Sequence, residues 1–301
     1  MYFPIADVTV NPILLMSVGF VVGILGGFFG VGGGFLAGPM MFWIGVPMNY
    51  VIGTDLAHMT GKSLVAARRH RVLGHVDFKL GALMVGGTVV GVEIGAQIIE
   101  FLQAAGNIDQ VVGFVYIFIL LAISLFTAWE SIRALQMVRT DQIDVKEAVG
   151  FEGLARRIQG FKLRPMMSFP VSGIDEISVW MVIGVGLLTG VLAGTLGVGG
   201  GFIRMPMLVY VLGIPTHVAV GTDLFEIVIS AGFGTLTHAI KGNVDILMAL
   251  VMQTGAAIGA QIGATATRFF AGPKIRLAFS VLPLVGAVLV IIRLLGSGAV
   301  H

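Results

Sequence analysis

Residues 13–29, 78–101, 111–129, 180–196, 246–270 and 277–295 form long runs of mostly apolar side chains. A helix needs roughly 20 such residues to cross the hydrocarbon core of a bilayer, and each run approaches or exceeds that length. A chain built this way is expected to fold as an all-α polytopic membrane protein. Composition agrees: 56% of the residues are hydrophobic and 11% are charged, against about 25% charged in soluble domains. The N-terminal MYFPIADVTVNP lacks the positive region of a signal peptide, so the first run is expected to be retained as a span. With no cysteine in the chain, disulfide frameworks and thiolate metal sites are excluded. The net charge of +2 gives no reason to expect nucleic acid as a partner, because Lys and Arg cluster where membrane topology uses them.

The sequence also contains itself twice. GVGGGF at Gly30–Phe35 returns at Gly197–Phe202, 167 residues later. Pro39 is echoed by Pro206, GVP at Gly45–Pro47 by GIP at Gly213–Pro215, and GTDL at Gly53–Leu56 by GTDL at Gly221–Leu224. HVD at His75–Asp77 pairs with NVD at Asn243–Asp245, and Gly91 and Gly95 pair with Gly259 and Gly263. The chain therefore divides into a first transmembrane repeat, 1–136, a polar cytoplasmic linker, 137–177, and a second transmembrane repeat, 178–301. The strongly polar stretch from Glu130 to Glu176 reads as solvated. Repeats of this kind place substrate sites between the two halves of secondary transporters.

Lys and Arg concentrate in cytoplasmic loops. RRHR at Arg68–Arg71, the central linker, and Arg268 with Lys274 and Arg276 are the three basic regions. They fit five helical segments per repeat: about 12–29, 35–47, 50–67, 78–102 and 109–136, then about 178–196, 202–213, 216–240, 245–270 and 275–295. An odd number per repeat inverts the second copy and leaves both termini outside. The second segment of each copy is too short to span, so 8–10 helical segments, two of them re-entrant, satisfy the pattern.

Residues 26–39, GGFFGVGGGFLAGP, cannot be a plain helix. Glycine weakens a helix by about 1 kcal/mol per position and proline by about 3. A broken helix exposes N–H groups at the start of the following half-helix, and the helix dipole there favours anions. Gly32, Gly33, Gly34, Gly199, Gly200 and Gly201 would let a ligand approach the backbone. The other reading is small-residue packing between helices. TGKS at Thr60–Ser63 is not a phosphate loop, since Leu56 stands where that motif needs glycine, and GVGGGF lacks GxGxxG spacing.

GVGGGF, then Pro, GxP and GTDL, present twice in an apolar chain, resembles the TauE/SafE sulfite exporter family, also called the toluene sulfonate uptake permeases. The resemblance covers about 12–100 and 180–295. It implies transport of sulfite, sulfonates or related organosulfur anions across the cytoplasmic membrane.

Ionisable residues at membrane depth are functional hypotheses by default. Asp55 and Asp223 lie in the paired GTDL motifs, as helix-capping carboxylates helped by Thr54 and Thr222 or as gating and proton-coupling groups. Asp55, His58, Met59 and Lys62 share one helix face, as do Asp223 and Glu226. Lys62 can neutralise an anion, pair with Asp55 or snorkel to water. Arg204 follows the second glycine cluster where copy one has Ala37. It suits an oxyanion, and equally a counter-ion role to Asp223 or Glu226. Gln97 and Gln261 line a path or bond between helices.

The expected function is secondary transport of a small sulfur-containing anion by alternating access between the repeats. Gly32–Gly34, Gly199–Gly201, Arg204, Thr54 and Thr222 are the expected substrate ligands. Asp55, Asp223, Glu226 and Lys62 are the expected coupling or gating groups, with protons as the coupling ion. The alternative is an uncoupled anion channel. No HExxH or GxSxG pattern supports an enzyme, no cofactor is implied, and His58, His70, His75, His217 and His238 are too scattered in sequence to argue a metal site.

Overall fold

The computed structural model describes residues 1–105, 108–141, 157–196, 200–270 and 272–297. In the first half, helices α1 (Pro12–Phe29), α2 (Gly34–Trp43), α3 (Met48–Val72), α4 (Phe78–Ala104) and α5 (Ile108–Asp141) follow one another. In the second half come α6 (Val179–Leu196), α7 (Gly201–Pro206, running into a π turn, Met207–Val211), α8 (Thr216–Ile240), α9 (Ile246–Ala266) and α10 (Gly272–Ser297). Among the described residues, seven helices are long and apolar enough to cross a membrane: α1, α4, α5, α6, α8, α9 and α10. The protein is an all-α polytopic membrane protein.

Helix α3 is as long as α8, 25 residues each, but its middle carries Asp55, His58 and Lys62, all buried. The two helices lie antiparallel at the centre of the bundle. Gly53 near the start of α3 abuts Asn243 just after α8, and Gly221 near the start of α8 abuts His75 just after α3. Their polar faces turn toward protein rather than lipid, so hydropathy is a poor guide to α3.

Two further seams enclose this pair. Helix α1 runs parallel to α9, with Gly19, Gly23 and Gly27 against Met252, Ala256 and Ala260. Helix α4 runs parallel to α6, with Gly87, Gly91 and Gly95 against Ile183, Leu187 and Val191. A Cβ at Gly23 would stand 2.5 Å from the Ala256 carbonyl oxygen, and one at Gly95 2.5 Å from that of Val191. These glycines serve close packing without a side chain between the backbones. Helices α5 and α10 pack on each other, and the Ser124 hydroxyl donates to the Ser280 carbonyl at 2.6 Å.

Several expectations are corrected here. RRHR is not a loop: it forms the last turn of α3, where its positive charges complement the helix dipole. Asp55 and Asp223 are not caps, because α3 starts after Pro47 and α8 after Pro215. The capping carboxylates are Asp77, which accepts from Leu80 N at 3.0 Å, and Asp245, which accepts from Met248 N at 3.0 Å. Gln97 and Gln261 are exposed on the outer surface and line no internal path.

Part of the expected solvated linker is ordered. Strands β3 (Met166–Phe169) and β4 (Ile174–Ser178) form a hairpin, as do β1 (Tyr2–Phe3) and β2 (Val8–Thr9) at the N-terminus. Each hairpin seats a buried phenylalanine, Phe169 or Phe3. Each also bonds a capping carboxylate: the Ser172 hydroxyl donates to Asp77 Oδ2 at 2.7 Å, and Ala6 N donates to Asp245 Oδ2 at 3.2 Å. Residues 142–156 of the expected linker lie outside the described residues.

Candidate functional site

The site begins where α1 stops. Gly30, Gly32 and Gly33 have φ of 78°, 65° and 75°, in the left-handed region that side chains disfavour. This turn reverses the chain into α2, whose first turn has no side-chain cap. In the second half Gly200, with φ of 71°, opens α7 in the same way, again without a side-chain cap. Gly34 and Gly201 are the first residues of these short helices, and Gly199 lies outside the described residues. The two breaks meet: a Cβ at Gly201 would be 2.8 Å from the Val31 carbonyl. The Ile227 side chain lies against both Gly32 and Gly201.

Beside the first break stands the polar face of α3. Asp55 Oδ1 and His58 Nδ1 are 3.1 Å apart, which makes Nδ1–H the donor if the carboxylate is ionised. Lys62 is 1% exposed, so it does not snorkel to water. Its Nζ has no hydrogen-bond partner among the described residues. It points at the break, 2.9 Å from where a Cβ on Gly33 would be. The Tyr116 hydroxyl, from α5, donates to the Gly34 carbonyl at 3.3 Å and ties the first turn of α2 to its neighbour.

Beside the second break the cation is engaged. Arg204 Nε donates to Thr189 Oγ1 at 3.1 Å, and Nη1 donates to Asp223 Oδ1 at 2.9 Å. Nη1 also forms an ion pair with Glu226 Oε2. The Ser230 hydroxyl donates to the same Glu226 oxygen at 3.1 Å. These contacts make Arg204 a counter-ion that joins both acids, while its Nη2 has no hydrogen-bond partner among the described residues and stands 3.0 Å from where a Cβ on Gly200 would be. One guanidinium faces two carboxylates in a wholly buried site, so one proton on the acids makes the trio neutral. Asp223 Oδ2 and Glu226 Oε1 keep no hydrogen-bond partner among the described residues.

Thr54 and Thr222 are occupied elsewhere. Their hydroxyls accept from the backbone N–H of Asp245 at 3.0 Å and of Asp77 at 2.9 Å. They fasten α3 and α8 to the turns that start α9 and α4.

Two groupings are not evident from the sequence. Glu130 and Arg276, read there as parts of a linker and a loop, are buried inside α5 and α10 and bond in a fork: Nε to Oε2 at 3.2 Å and Nη2 to Oε1 at 3.3 Å. Tyr210 donates to Glu130 Oε2 at 2.6 Å, and Arg276 Nη1 donates to Thr216 Oγ1 at 2.6 Å. In sequence each stands one residue outside an apolar run, 111–129 or 277–295, among other charges, which gave no signal that it is buried. The second grouping brings together histidines that looked scattered. The rings of His70 and His75 are 5.5 Å apart and those of His75 and His217 5.2 Å apart. His70 Nε2 is 3.1 Å from the Gly27 carbonyl, and His238 Nε2 is 3.1 Å from that of Gly194. His75 lies between helices, and burial, with His217 beside it, holds its imidazole below the ordinary value.

Comparison with known proteins agrees with this architecture. The chain is similar to the probable membrane transporter protein YunE of Bacillus subtilis, 26% identical over 85% of this chain and 88% of the relative. It is 25% identical to the probable membrane transporter protein YdhB of the same organism, over 92% of this chain and 99% of the relative. A shorter match, 26% identical over 48% of this chain and 29% of the relative, is to the sulfite exporter TauE/SafE family protein 3 of Arabidopsis thaliana. No solved structure matches at a significant level. The profile of the sulfite exporter TauE/SafE family matches residues 15–290, nearly the whole helical bundle, and the chain belongs to that membrane-transport family.

Proposed function

We propose that this protein is a proton-coupled secondary transporter of a small sulfur-containing oxyanion in the cytoplasmic membrane, with substrate and proton handled by different halves. The observation that carries this reading is Lys62: a buried cation with no hydrogen-bond partner among the described residues, pointed at the backbone of the first break. An ammonium group taken out of water needs a hydrogen-bond acceptor as well as a compensating charge, and Asp55 interacts with Lys62 electrostatically but leaves its Nζ without an acceptor. An oxyanion at Gly32–Gly34 would supply it, and would meet the N–H end of α2. Gly200, Gly201 and, by its place in the motif, Gly199 complete the proposed anion site from the other half.

Arg204 is already balanced by Asp223 and Glu226, so in this reading it holds the proton site rather than the substrate. Protonation of either acid would loosen its hold on Arg204 and on α7. Asp55, through His58, tunes Lys62. The two halves are related by a two-fold axis in the membrane plane. In support, the antiparallel α3 and α8 exchange equivalent contacts, and the pairs His70–Gly27 and His238–Gly194 bond alike.

The test is transport in proteoliposomes, comparing sulfite, thiosulfate, sulfoacetate and taurine with and without an imposed pH gradient. Saturable movement of one of these compounds that follows the proton gradient is expected. Non-saturating flux indifferent to that gradient would replace this reading with an uncoupled anion channel.

A further inference from the structure

We propose that the seam between α3 and α9, at the end of the bundle that carries RRHR, binds the headgroup of an anionic phospholipid. A pocket of about 390 Å³ opens there, lined by Val65, Arg68, Arg69, Val72, Gln261 and Thr265. Arg69 Nε donates to Thr265 Oγ1 at 3.2 Å, which fixes one guanidinium at the pocket wall. Among the described residues neither Arg68 nor Arg69 has an acidic partner. Two guanidinium groups converge on one cavity with no carboxylate to balance them, and a phosphate diester fits their fork geometry.

The pocket's surroundings select a lipid over a soluble anion. Helices α3 and α9 run parallel here, with Gly61 beside Gln253 and, further along, Arg69 bonded to Thr265. On both helices the exposed side chain just before the pocket is apolar, Leu64 on α3 and Ile258 on α9, and Ile262 is exposed beside the pocket itself. The cleft is therefore amphiphilic along its length, apolar toward the middle of the bundle and basic at its end. An acyl chain would lie along Leu64 and Ile258, with the phosphate between Arg68 and Arg69. Basic pockets between membrane helices are suited to such headgroups. This site is separate from the glycine breaks and stands whether or not the transport reading does.

Native mass spectrometry of the purified full-length protein tests it, with phosphatidylglycerol, phosphatidylcholine and inorganic phosphate as probes. Phosphatidylglycerol should stay bound under activation that strips phosphatidylcholine. Arg68→Gln with Arg69→Gln should lower its affinity roughly thirtyfold, from two basic contacts. Arg68→Gln alone removes an exposed side chain and should lower it about fivefold without affecting folding. Arg133→Gln, far along α5, should change nothing. Equal retention of the two lipids, or wild-type retention by the Arg68 variant, overturns the proposal. Displacement of phosphatidylglycerol by an equal concentration of phosphate also overturns it, since the pocket would then be a soluble-anion site.

Discussion

Lys62 and Gly33 face each other across the gap between α3 and the start of α2, the ammonium nitrogen 2.9 Å from where a Cβ on the glycine would stand. The contact brings a buried positive charge, on the same helix face as Asp55, up to the backbone of the break beside Val22. Lys62→Met keeps the length of the side chain and removes its charge. A charge-assisted contact contributes about 1.5–3 kcal/mol, so anion binding should weaken roughly ten- to a hundredfold. Titration of sulfite or thiosulfate onto monodisperse protein checks this, and unchanged affinity would remove Lys62 from the site.

Arg204 should behave as a structural counter-ion. Arg204→Ala leaves Asp223 and Glu226 facing each other without a cation, and breaking a buried pair costs about 3–5 kcal/mol. The yield of monodisperse protein should fall sharply. Adding Asp223→Asn and Glu226→Gln to the same chain should restore much of it. Size-exclusion profiles of the single and triple variants measure both effects.

Glu226→Gln alone addresses coupling. The amide keeps the shape of the side chain and cannot carry the proton. Transport driven by a pH gradient should be lost, while exchange of labelled for unlabelled substrate at equal pH persists. Loss of both activities together would point to a role in substrate binding instead.

His75 gives a pH signature. Its imidazole is held below the ordinary value by burial and by His217, so the folded state takes up its proton less readily than the unfolded state. Stability is unaffected by this group well above pH 6.5 and falls as pH drops below about 6.5, where the unfolded chain gains protons first. His75→Asn installs the residue that the second GTDL-linked turn has at Asn243. The variant's melting temperature in detergent should decline less steeply with acid than that of wild type.

The proposed inverted relation between the halves predicts opposite exposure of matched positions. Val72 and Ile240, 168 residues apart, are 73% and 89% exposed at the ends of α3 and α8. In this cysteine-free chain, single cysteines at these positions should react with an impermeant reagent from opposite sides of the membrane. Reaction from the same side would remove the in-plane axis.

The sequence by itself determined the class of the fold, the positions of the helices and the places where helices break. Those features are local: an apolar run long enough to span has few other options, and the dense run of glycines from Gly30 to Gly34 weakens a helix at each position and admits the left-handed backbone that ends α1. It also marked Asp55, Lys62, Arg204, Asp223 and Glu226, because a charge inside an apolar run is visible without coordinates. Only the tertiary structure decided what each charge touches. Arg204 and Lys62 look alike in sequence and each reaches the glycine break of its own half, yet Arg204 is also hydrogen-bonded to Asp223 and Thr189 while Lys62 has no hydrogen-bond partner among the described residues, because α7 packs against α8 while α3 passes the turn before α2. The same holds for Glu130 with Arg276, 146 residues apart, and for Thr54 and Thr222, whose hydroxyls are claimed by turns in the opposite half. Pairings across such separations follow from how whole helices pack, which local patterns of hydrophobicity and glycine do not encode.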